Sequence, residues 1–221
     1  MKVYVSSTFQ DLREFRTAVD VALRRMGHDV VGMEQYVAEG TTPLKKCLDD
    51  VQASDAYVMV LGWRYGFVPA DAGANPHGLS ITELEYQAAC TARKSVLAFL
   101  LDPDAPWPPS AFDALTEEGG KRILRLRSEV GAAHLSGVFR TPDNLASQVA
   151  AAVSNLGLNR QMIDRALAQA SVGGEMTPFL SGAELVDTTL AGVTEMVRNA
   201  GSTRSLVIGL GAGNWWWSTR L

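Results

Sequence analysis

Two nearly continuous apolar runs constrain the fold of this chain more than any other feature. They are DAYVMVLG at 55–62 and SVLAFLLD at 95–102. An unbroken apolar run of this length is typical of a strand buried on both faces, as in a parallel sheet covered by helices. Helix-like apolar spacing precedes, separates and follows the two runs, so the chain alternates strands with helices.

Three shorter segments complete this alternation. KVYVSS at 2–7, HDVVGMEQY at 28–36 and HLSGVF at 134–139 have the β-branched and aromatic content of strands. With about five intervening helices they predict an α/β fold, a three-layer flavodoxin-like or TIR-like sandwich with a central five-stranded parallel sheet. In such sheets a ligand binds beyond the carboxyl ends of the strands, where the strand order switches.

The same pattern predicts the domain organisation. The α/β domain is expected over residues 1–157, followed by a helical extension over 158–200 that includes a helix at 183–201. A new strand then begins, with a glycine turn and three tryptophans, and so much apolar surface needs a partner. Residues 201–221 are therefore expected to start a truncated second α/β domain within a longer protein.

Charge and cysteine content narrow the class of protein. The formal net charge of the 221 residues is −4, which argues against a nucleic-acid or membrane-surface binder. The basic cluster KRILRLR at 121–127 is interpreted as a solvated helix face, with an anion-binding patch as the alternative. Two cysteines and no signal peptide predict a reduced, cytoplasmic protein. Its histidines and cysteines lack metal-ligand spacing, so we expect no metal site and no tightly bound cofactor.

The first candidate site lies where the first strand passes into a helix. Thr8 followed by Asp11 predicts a capping box, in which Asp11 has a structural role. Free backbone N–H groups at a helix start also favour a phosphate group. The candidate nucleotide-binding residues of this segment are Ser6, Ser7, Thr8 and Phe9.

The second candidate site is the loop after the third strand, LGWRYGFVP at 61–69. Trp63, Arg64 and Tyr65 bring aromatic planes and a guanidinium group to the predicted ligand edge. Such groups can stack on a base and hold a phosphate, so all three are candidate nucleotide-binding residues. A structural alternative, in which Trp63 and Tyr65 plug the end of the sheet, remains open.

The third candidate site is the helix start GLSITELEYQAA at 78–89, which contains two glutamates. Capping explains both acids, because Ser80 with Glu83 and Thr82 with Glu85 each fit a capping box. Helical phase separates them, however, at about 100° per residue. Glu85 falls inside the arc that faces the sheet, whereas Glu83 falls about 160° away from Glu85 and points outward.

Glu85 is therefore the candidate catalytic residue, and Glu83 the structural cap. An acid on a core-facing arc costs several kcal/mol unless it is paired or meets a polar cleft. Near a strand-end crevice it would be partly desolvated, with a raised pKa suited to acid/base work. Ser80, at the start of the same helix, joins the candidate nucleotide-binding residues.

Three motifs in order, VYVSSTFQDLREFR, VLGWRYGFVP and GLSITELEYQAA, resemble a TIR-like family of unknown function. That family occurs at the N-termini of STAND-type and NACHT-type NTPases and of repeat proteins. The resemblance covers about residues 1–155 and implies kinship with TIR domains and, more distantly, with nucleoside deoxyribosyltransferases. It implies that Glu85 matches a glutamate that assists cleavage of an N-glycosidic bond, with NAD as substrate in TIR enzymes. The Trp-Cys pair that often precedes the TIR glutamate is replaced by Ile81 and Thr82.

Three functions are weighed against each other. The first is a signalling or antiphage defence module that hydrolyses NAD, self-associates and works with downstream domains. The second is a non-catalytic interaction module, in which Glu85 is paired to a basic residue such as Arg64. The third is a deoxyribosyltransferase-like enzyme. An open polar cleft at Glu85 would favour the enzyme, and a filled one would favour the interaction module.

Overall fold

The computed structural model describes residues 1–33, 42–70, 73, 75–113, 118–172, 193–200 and 203–210, with side chains described as far as residue 165. It divides into two compact units, Met1–Asn155 and Leu156–Leu221. The first unit contains the strands and helices that position the candidate site. Among the described residues, no helix combines the length and the apolar character needed to cross a membrane.

The first unit is built on a five-stranded sheet in which every neighbouring pair of strands is parallel. The strand order is β2-β1-β3-β4-β5, so the predicted α/β sandwich is confirmed. The strands are β1 (Lys2–Ser6), β2 (Asp29–Val31), β3 (Ala56–Leu61), β4 (Ser95–Leu101) and β5 (Gly137–Phe139).

Helices cover both faces of the sheet, and the sheet separates two apolar cores. The helices are α1 (Arg13–Arg25), α2 (Pro43–Ala53), α3 (Ile81–Thr91), α4 (Glu118–Ala133) and α5 (Pro142–Val172). Val3 and Val5 of β1 face the core formed with α1 and α5. Tyr4, between them, faces the core formed with α2, α3 and α4, because successive side chains of a strand point to opposite faces.

Local sequence signals set several helix ends. Gly27 ends α1 with φ +80, a left-handed conformation in which glycine is favoured. Thr42 caps α2 through its hydroxyl, which accepts a hydrogen bond from Lys45 N at 3.3 Å, and Pro43 follows as the first helical residue. A glycine after the last turn and a threonine-proline pair before the first are common signals for the end and the start of a helix.

The sheet has its topological switch point between β1 and β3. From β1 the chain passes to β2 on one side, and from β3 it passes to β4 on the other. The two connections therefore diverge at the carboxyl ends of β1 and β3, which is where doubly wound sheets bind ligands. Ser6 ends β1 and Leu61 ends β3, so the predicted site residues follow the two strands that flank this point.

The second unit contains an antiparallel pair, β6 (Val193–Ala200) with β7 (Thr203–Leu210). The helix expected over 183–201 is therefore wrong over Val193–Ala200. Val193, Thr194 and Val197 are β-branched, which favours a strand, and Val197 lies opposite Leu206. The strand expected after residue 201 forms over the β7 range. Residues 211–221 lie outside the described residues, so the start of a further domain stays a prediction.

Candidate functional site

Glu85 lies at the switch point and is enclosed by the protein. Its side chain belongs to the first turns of α3, and the residue is only 2% exposed. Oε1 accepts a hydrogen bond from the Tyr4 hydroxyl at 2.7 Å, and Oε2 accepts one from the Ser6 hydroxyl at 2.5 Å. The core-facing position predicted from helical phase is correct, and the site is filled by protein side chains rather than open.

The surroundings of Glu85 favour its neutral form more than water does. Burial raises the pKa of the Glu85 carboxyl, because a low-dielectric environment penalises the charge. The hydroxyls of Ser6 and Tyr4, the thiol of Cys47 and the charge of Arg16 act in the opposite direction and do not cancel the effect. The carboxyl group is therefore poised to change its protonation state at a higher pH than an ordinary glutamate.

Tyr57, which the sequence prediction missed, lies beside Glu85 and Ser6. It pairs with Tyr4 in the β1–β3 register, and the two rings stack with centroids 6.0 Å apart. Its hydroxyl is fully buried. Burial and the charge of Glu85 raise the pKa of Tyr57 well above its usual range, and a hydrogen bond with Ser6 acts in the opposite direction. A signal for Tyr57 was available in the sequence. Tyrosine and serine hydroxyls occur in otherwise apolar strands, on the face that packs against α3.

Ser7 orients a buried arginine beside this group. The Arg16 guanidinium donates to Ser7 Oγ at 2.8 Å, and the Ser7 hydroxyl donates to the Thr8 carbonyl at 2.8 Å. Arg16 comes from α1 and its charge lowers the pKa of Glu85. The hydroxyl of Ser7 is thus engaged with protein groups in this structure.

Glu83 is buried as deeply as Glu85, so the outward position predicted for it is wrong. It is 2% exposed, its Oε2 accepts from the Tyr65 hydroxyl at 2.5 Å, and it forms a 2.7 Å ion pair with Arg125 of α4. The α3 helix is covered on a second side by α4 and by the loop after β3, which helical phase alone could not reveal.

The capping arrangement at the start of α3 runs through Tyr65. Ser80 Oγ accepts from Glu83 N at 3.3 Å, as a capping box requires. The return bond, however, is made by the Tyr65 hydroxyl, which accepts from Ser80 N at 3.2 Å and donates to the Glu83 carboxylate. Ser80 and Glu83 therefore cap the helix together with a third residue, while Thr82 lies inside the helix.

The aromatic side chains of the loop after β3 are held by protein contacts. Trp63 is stacked on Phe112 at 5.9 Å, and the Arg127 guanidinium lies 3.9 Å over its ring. Tyr65 is buried, with its hydroxyl on the Glu83 carboxylate, and its nucleotide-binding role stays a prediction. For these two aromatics the structure matches the alternative in which they plug the end of the sheet.

The Arg127 guanidinium, which lies over the Trp63 ring, is itself held by backbone carbonyls. It donates to the carbonyls of Leu61 at 2.8 Å, Gly62 at 3.1 Å and Leu101 at 2.6 Å, which closes the ends of β3 and β4. Burial lowers the pKa of Arg127 to about 10. The solvated face predicted for 121–127 is therefore wrong for this residue.

Arg64 does not pair with Glu85, contrary to the ion pair considered for the interaction module. It lies 3.6 Å from Asp113 and 3.3 Å from the Gln10 side chain. The nucleotide-binding role predicted for Arg64 stays a prediction.

Thr8 and Asp11 do not cap α1. The helix begins at Arg13, and its N-cap, Leu12, makes no side-chain capping bond. Thr8 and Asp11 instead lie against the loop after β3, where Cβ atoms built at Gly66 and Gly62 would each meet them at 3.0 Å. The Thr8 hydroxyl and both carboxylate oxygens of Asp11 are buried, and burial raises the pKa of Asp11 by more than its interaction with the Thr8 hydroxyl lowers it.

The fold and the site define a class, namely a doubly wound α/β domain with a buried carboxylate at the switch point of a parallel sheet. The chain belongs to the family described as a domain of unknown function (DUF4062), whose profile matches residues 2–154. This membership confirms the part of the sequence resemblance that concerns a family of unknown function.

Several solved structures also match the chain, among them an N-glycosidase. A CMP N-glycosidase from Clostridium botulinum, BcmB, is 16% identical with a TM-score of 0.36, over 67% of this chain and 98% of that chain. The search of curated proteins returns no match. The function is therefore argued from the geometry of the site.

Proposed function

We propose that this domain cleaves the N-glycosidic bond of a nucleotide, with NAD as the candidate substrate and Glu85 as the catalytic carboxylate. The observation that carries the proposal is the position of Glu85, buried at the switch point with the Tyr4 and Ser6 hydroxyls on its two oxygens. A buried carboxylate held by neutral donors, with a raised pKa, is typical of a functional site.

The chemistry of NAD cleavage suits such a group. The bond between the ribose C1′ and the nicotinamide nitrogen breaks, and its electron pair leaves with the ring, which departs as neutral nicotinamide. The ribose passes through an oxocarbenium-like state, which a nearby carboxylate stabilises as in glycoside hydrolysis. Water then supplies the oxygen that bonds to C1′ and releases a proton. Glu85 must be ionised to stabilise the cation.

The Tyr57 hydroxyl adds a third hydroxyl to this group. It is fully buried beside Glu85 and Ser6, and its hydrogen bond with Ser6 lowers its pKa, against the effect of burial.

The sequence resemblance supports the biological setting of the proposal. In the TIR-like family that the sequence resembles, the domain precedes STAND-type or NACHT-type NTPase modules that act in signalling or antiphage defence. We propose the same setting here, with a cytoplasmic location, self-association and downstream domains as partners. Ser6, Ser7, Thr8, Phe9, Arg64 and Ser80 remain proposed nucleotide-binding residues.

A non-catalytic interaction module is the second candidate, and the filled surroundings of Glu85 favour it by the criterion stated for the sequence. Glu85 is enclosed by protein, and Trp63 is held between Phe112 and Arg127. A filled site of this kind suits a domain that signals by pairing with itself or with a partner.

Product analysis separates the two candidates. The chain is incubated with NAD at high protein concentration, since TIR-like enzymes often act as assemblies, and nicotinamide and ADP-ribose are quantified. The hydrolase predicts both products from wild type, a loss of about 100-fold or more in Glu85→Gln, and unchanged turnover in the control Glu129→Gln, whose carboxylate is exposed on α4. Equal cleavage by Glu85→Gln rules out the catalytic role. No cleavage by wild type favours the interaction module.

A further inference from the structure

Two phenylalanine rings are exposed on the loops that follow β1 and β3. Phe67 is 72% exposed and Phe9 is 43% exposed. Phe9 follows Thr8, and Phe67 follows Gly66. A Cβ atom at Gly66 would lie 3.0 Å from Thr8 Cγ2, so the two loops touch at the residues directly before the two rings.

The loop that presents Phe67 is tethered to its surroundings. The Phe67 carbonyl accepts from Ile81 N at 2.9 Å, at the first residue of α3. Two residues earlier, Tyr65 N donates to Asp113 Oδ2 at 2.7 Å, and the Tyr65 hydroxyl donates to Glu83 at 2.5 Å. A ring on a fixed backbone loses little conformational freedom when it contacts a ligand, which favours binding.

A buried polar pair lies beside the contact between the loops. It consists of the Thr8 hydroxyl and the Asp11 carboxylate, and the Thr8 hydroxyl lowers the pKa of Asp11. The hydroxyls of a sugar could serve both groups, because they donate to a carboxylate and also accept from a hydroxyl. The Arg13 guanidinium lies 5.4 Å from the centre of the Phe9 ring, so one of the two exposed rings has a cation beside it.

We propose that Phe9 and Phe67 form a base clamp, in which Phe67 is the main stacking ring, while Thr8 and Asp11 bind the ribose hydroxyls. This inference rests on the proposed function and adds to it the residues that hold the substrate. Every nucleobase has a π-face, so stacking tolerates many bases. The clamp therefore predicts affinity for purine and pyrimidine nucleotides as well as for NAD.

The test measures binding by titration calorimetry in the full chain carrying Glu85→Gln, so that NAD is bound without turnover. The probes are NAD, adenosine monophosphate and uridine monophosphate. Phe67→Ala is expected to weaken binding about 5- to 150-fold, which corresponds to about 1–3 kcal/mol per stacked base. Phe67→Trp is expected to retain binding. Leu135→Ala, an exposed apolar residue before β5, is the control and is expected to leave affinity unchanged.

The outcomes separate the clamp from the catalysis. Unchanged affinity in Phe67→Ala overturns the clamp, even if wild type releases nicotinamide. Binding that depends on Phe67, with no nicotinamide released by wild type, supports the clamp and contradicts the proposed catalysis. Absence of binding for all three probes, in both the Glu85→Gln chain and wild type, overturns the clamp and the proposed function together.

Discussion

The hydroxyl of Tyr4 lies 2.7 Å from Oε1 of Glu85, across a sequence separation of 81 residues. Tyr4 belongs to β1 and Glu85 to α3, so this bond joins the sheet to the helix at the switch point. The Ser6 hydroxyl, 2.5 Å from Oε2, holds the other oxygen. Because both groups donate, they stabilise the ionised carboxylate and offset part of the effect of burial on its pKa.

Removing the Tyr4 hydroxyl should therefore raise the pKa of Glu85 further. In Tyr4→Phe we expect the acid limb of the pH–rate profile to move to higher pH. A hydrogen bond to a charged group contributes about 1.5–3 kcal/mol, so turnover on that limb should fall about 10-fold or more. The profile is measured by nicotinamide release over a pH series. Tyr86→Phe, which loses a bond to His134 on the far side of α3, is the control. If the acid limb of the Tyr4→Phe profile stays at its wild-type pH, the assignment of that limb to Glu85 is contradicted.

Glu85→Gln should make the fold more stable at neutral pH while it removes activity. Burial raises the pKa of Glu85 in the folded state above its unfolded value. The folded wild type therefore binds more protons between the two pKa values, and its stability falls as pH rises through this window. Glutamine carries no such charge, so the stability difference in favour of Glu85→Gln should grow with pH. Urea unfolding at several pH values measures it, and a difference that shrinks as pH rises would contradict the account.

Replacing Arg125, which forms an ion pair with Glu83, should lower the free energy of unfolding. Arg125→Met leaves a buried carboxylate without its cation, so we expect a loss of about 3 kcal/mol in the free energy of unfolding. Adding Glu83→Gln removes that charge and should restore most of the loss. Urea unfolding of the single and double variants measures the coupling. The control is Lys121→Met on the exposed face of α4, expected within about 0.5 kcal/mol of wild type. Additive losses would contradict the pairing.

Two glycines should respond oppositely to alanine. Gly66 has φ +92 and would place a Cβ atom 3.0 Å from Thr8 Cγ2, so Gly66→Ala should destabilise by about 1–2 kcal/mol or more. Gly131 lies in α4, where a Cβ atom would meet Leu100 at an ordinary 3.7 Å. Gly131→Ala should therefore stabilise by up to about 1 kcal/mol. Thermal unfolding of both variants is the measurement. A stabilised Gly66→Ala chain would show that the two loops do not touch as described.

The strand and helix pattern predicted the first unit because it depends on burial on both faces. The run at 55–62 is one example: all six residues of β3 are buried, as a central parallel strand requires. Helical phase likewise predicted that Glu85 faces the sheet. The same reasoning was wrong for Glu83. Helical phase identifies only the side of α3 that faces the sheet, but Arg125 and Tyr65 cover a second side of this helix.

The partners of the site residues were less predictable, since they depend on contacts between distant segments. Thr8 and Asp11 have capping spacing, yet they turn to Gly66 and Gly62 because the loop after β3 packs there. Arg127 looked like a solvated residue because nothing in its sequence shows that α4 carries it to the carbonyl ends of β3 and β4. The end of the predicted helix at 183–201 became a strand because pairing with β7 outweighed helix propensity.

The rate of nicotinamide release from NAD, in wild type and in Glu85→Gln at equal concentrations of folded chain, tests the central claim most directly. The account predicts release by wild type and a rate lower by about 100-fold or more in Glu85→Gln, because only an ionised carboxylate stabilises the ribosyl cation. Equal rates in the two chains would contradict the claim that the carboxylate held by Tyr4 and Ser6 is catalytic.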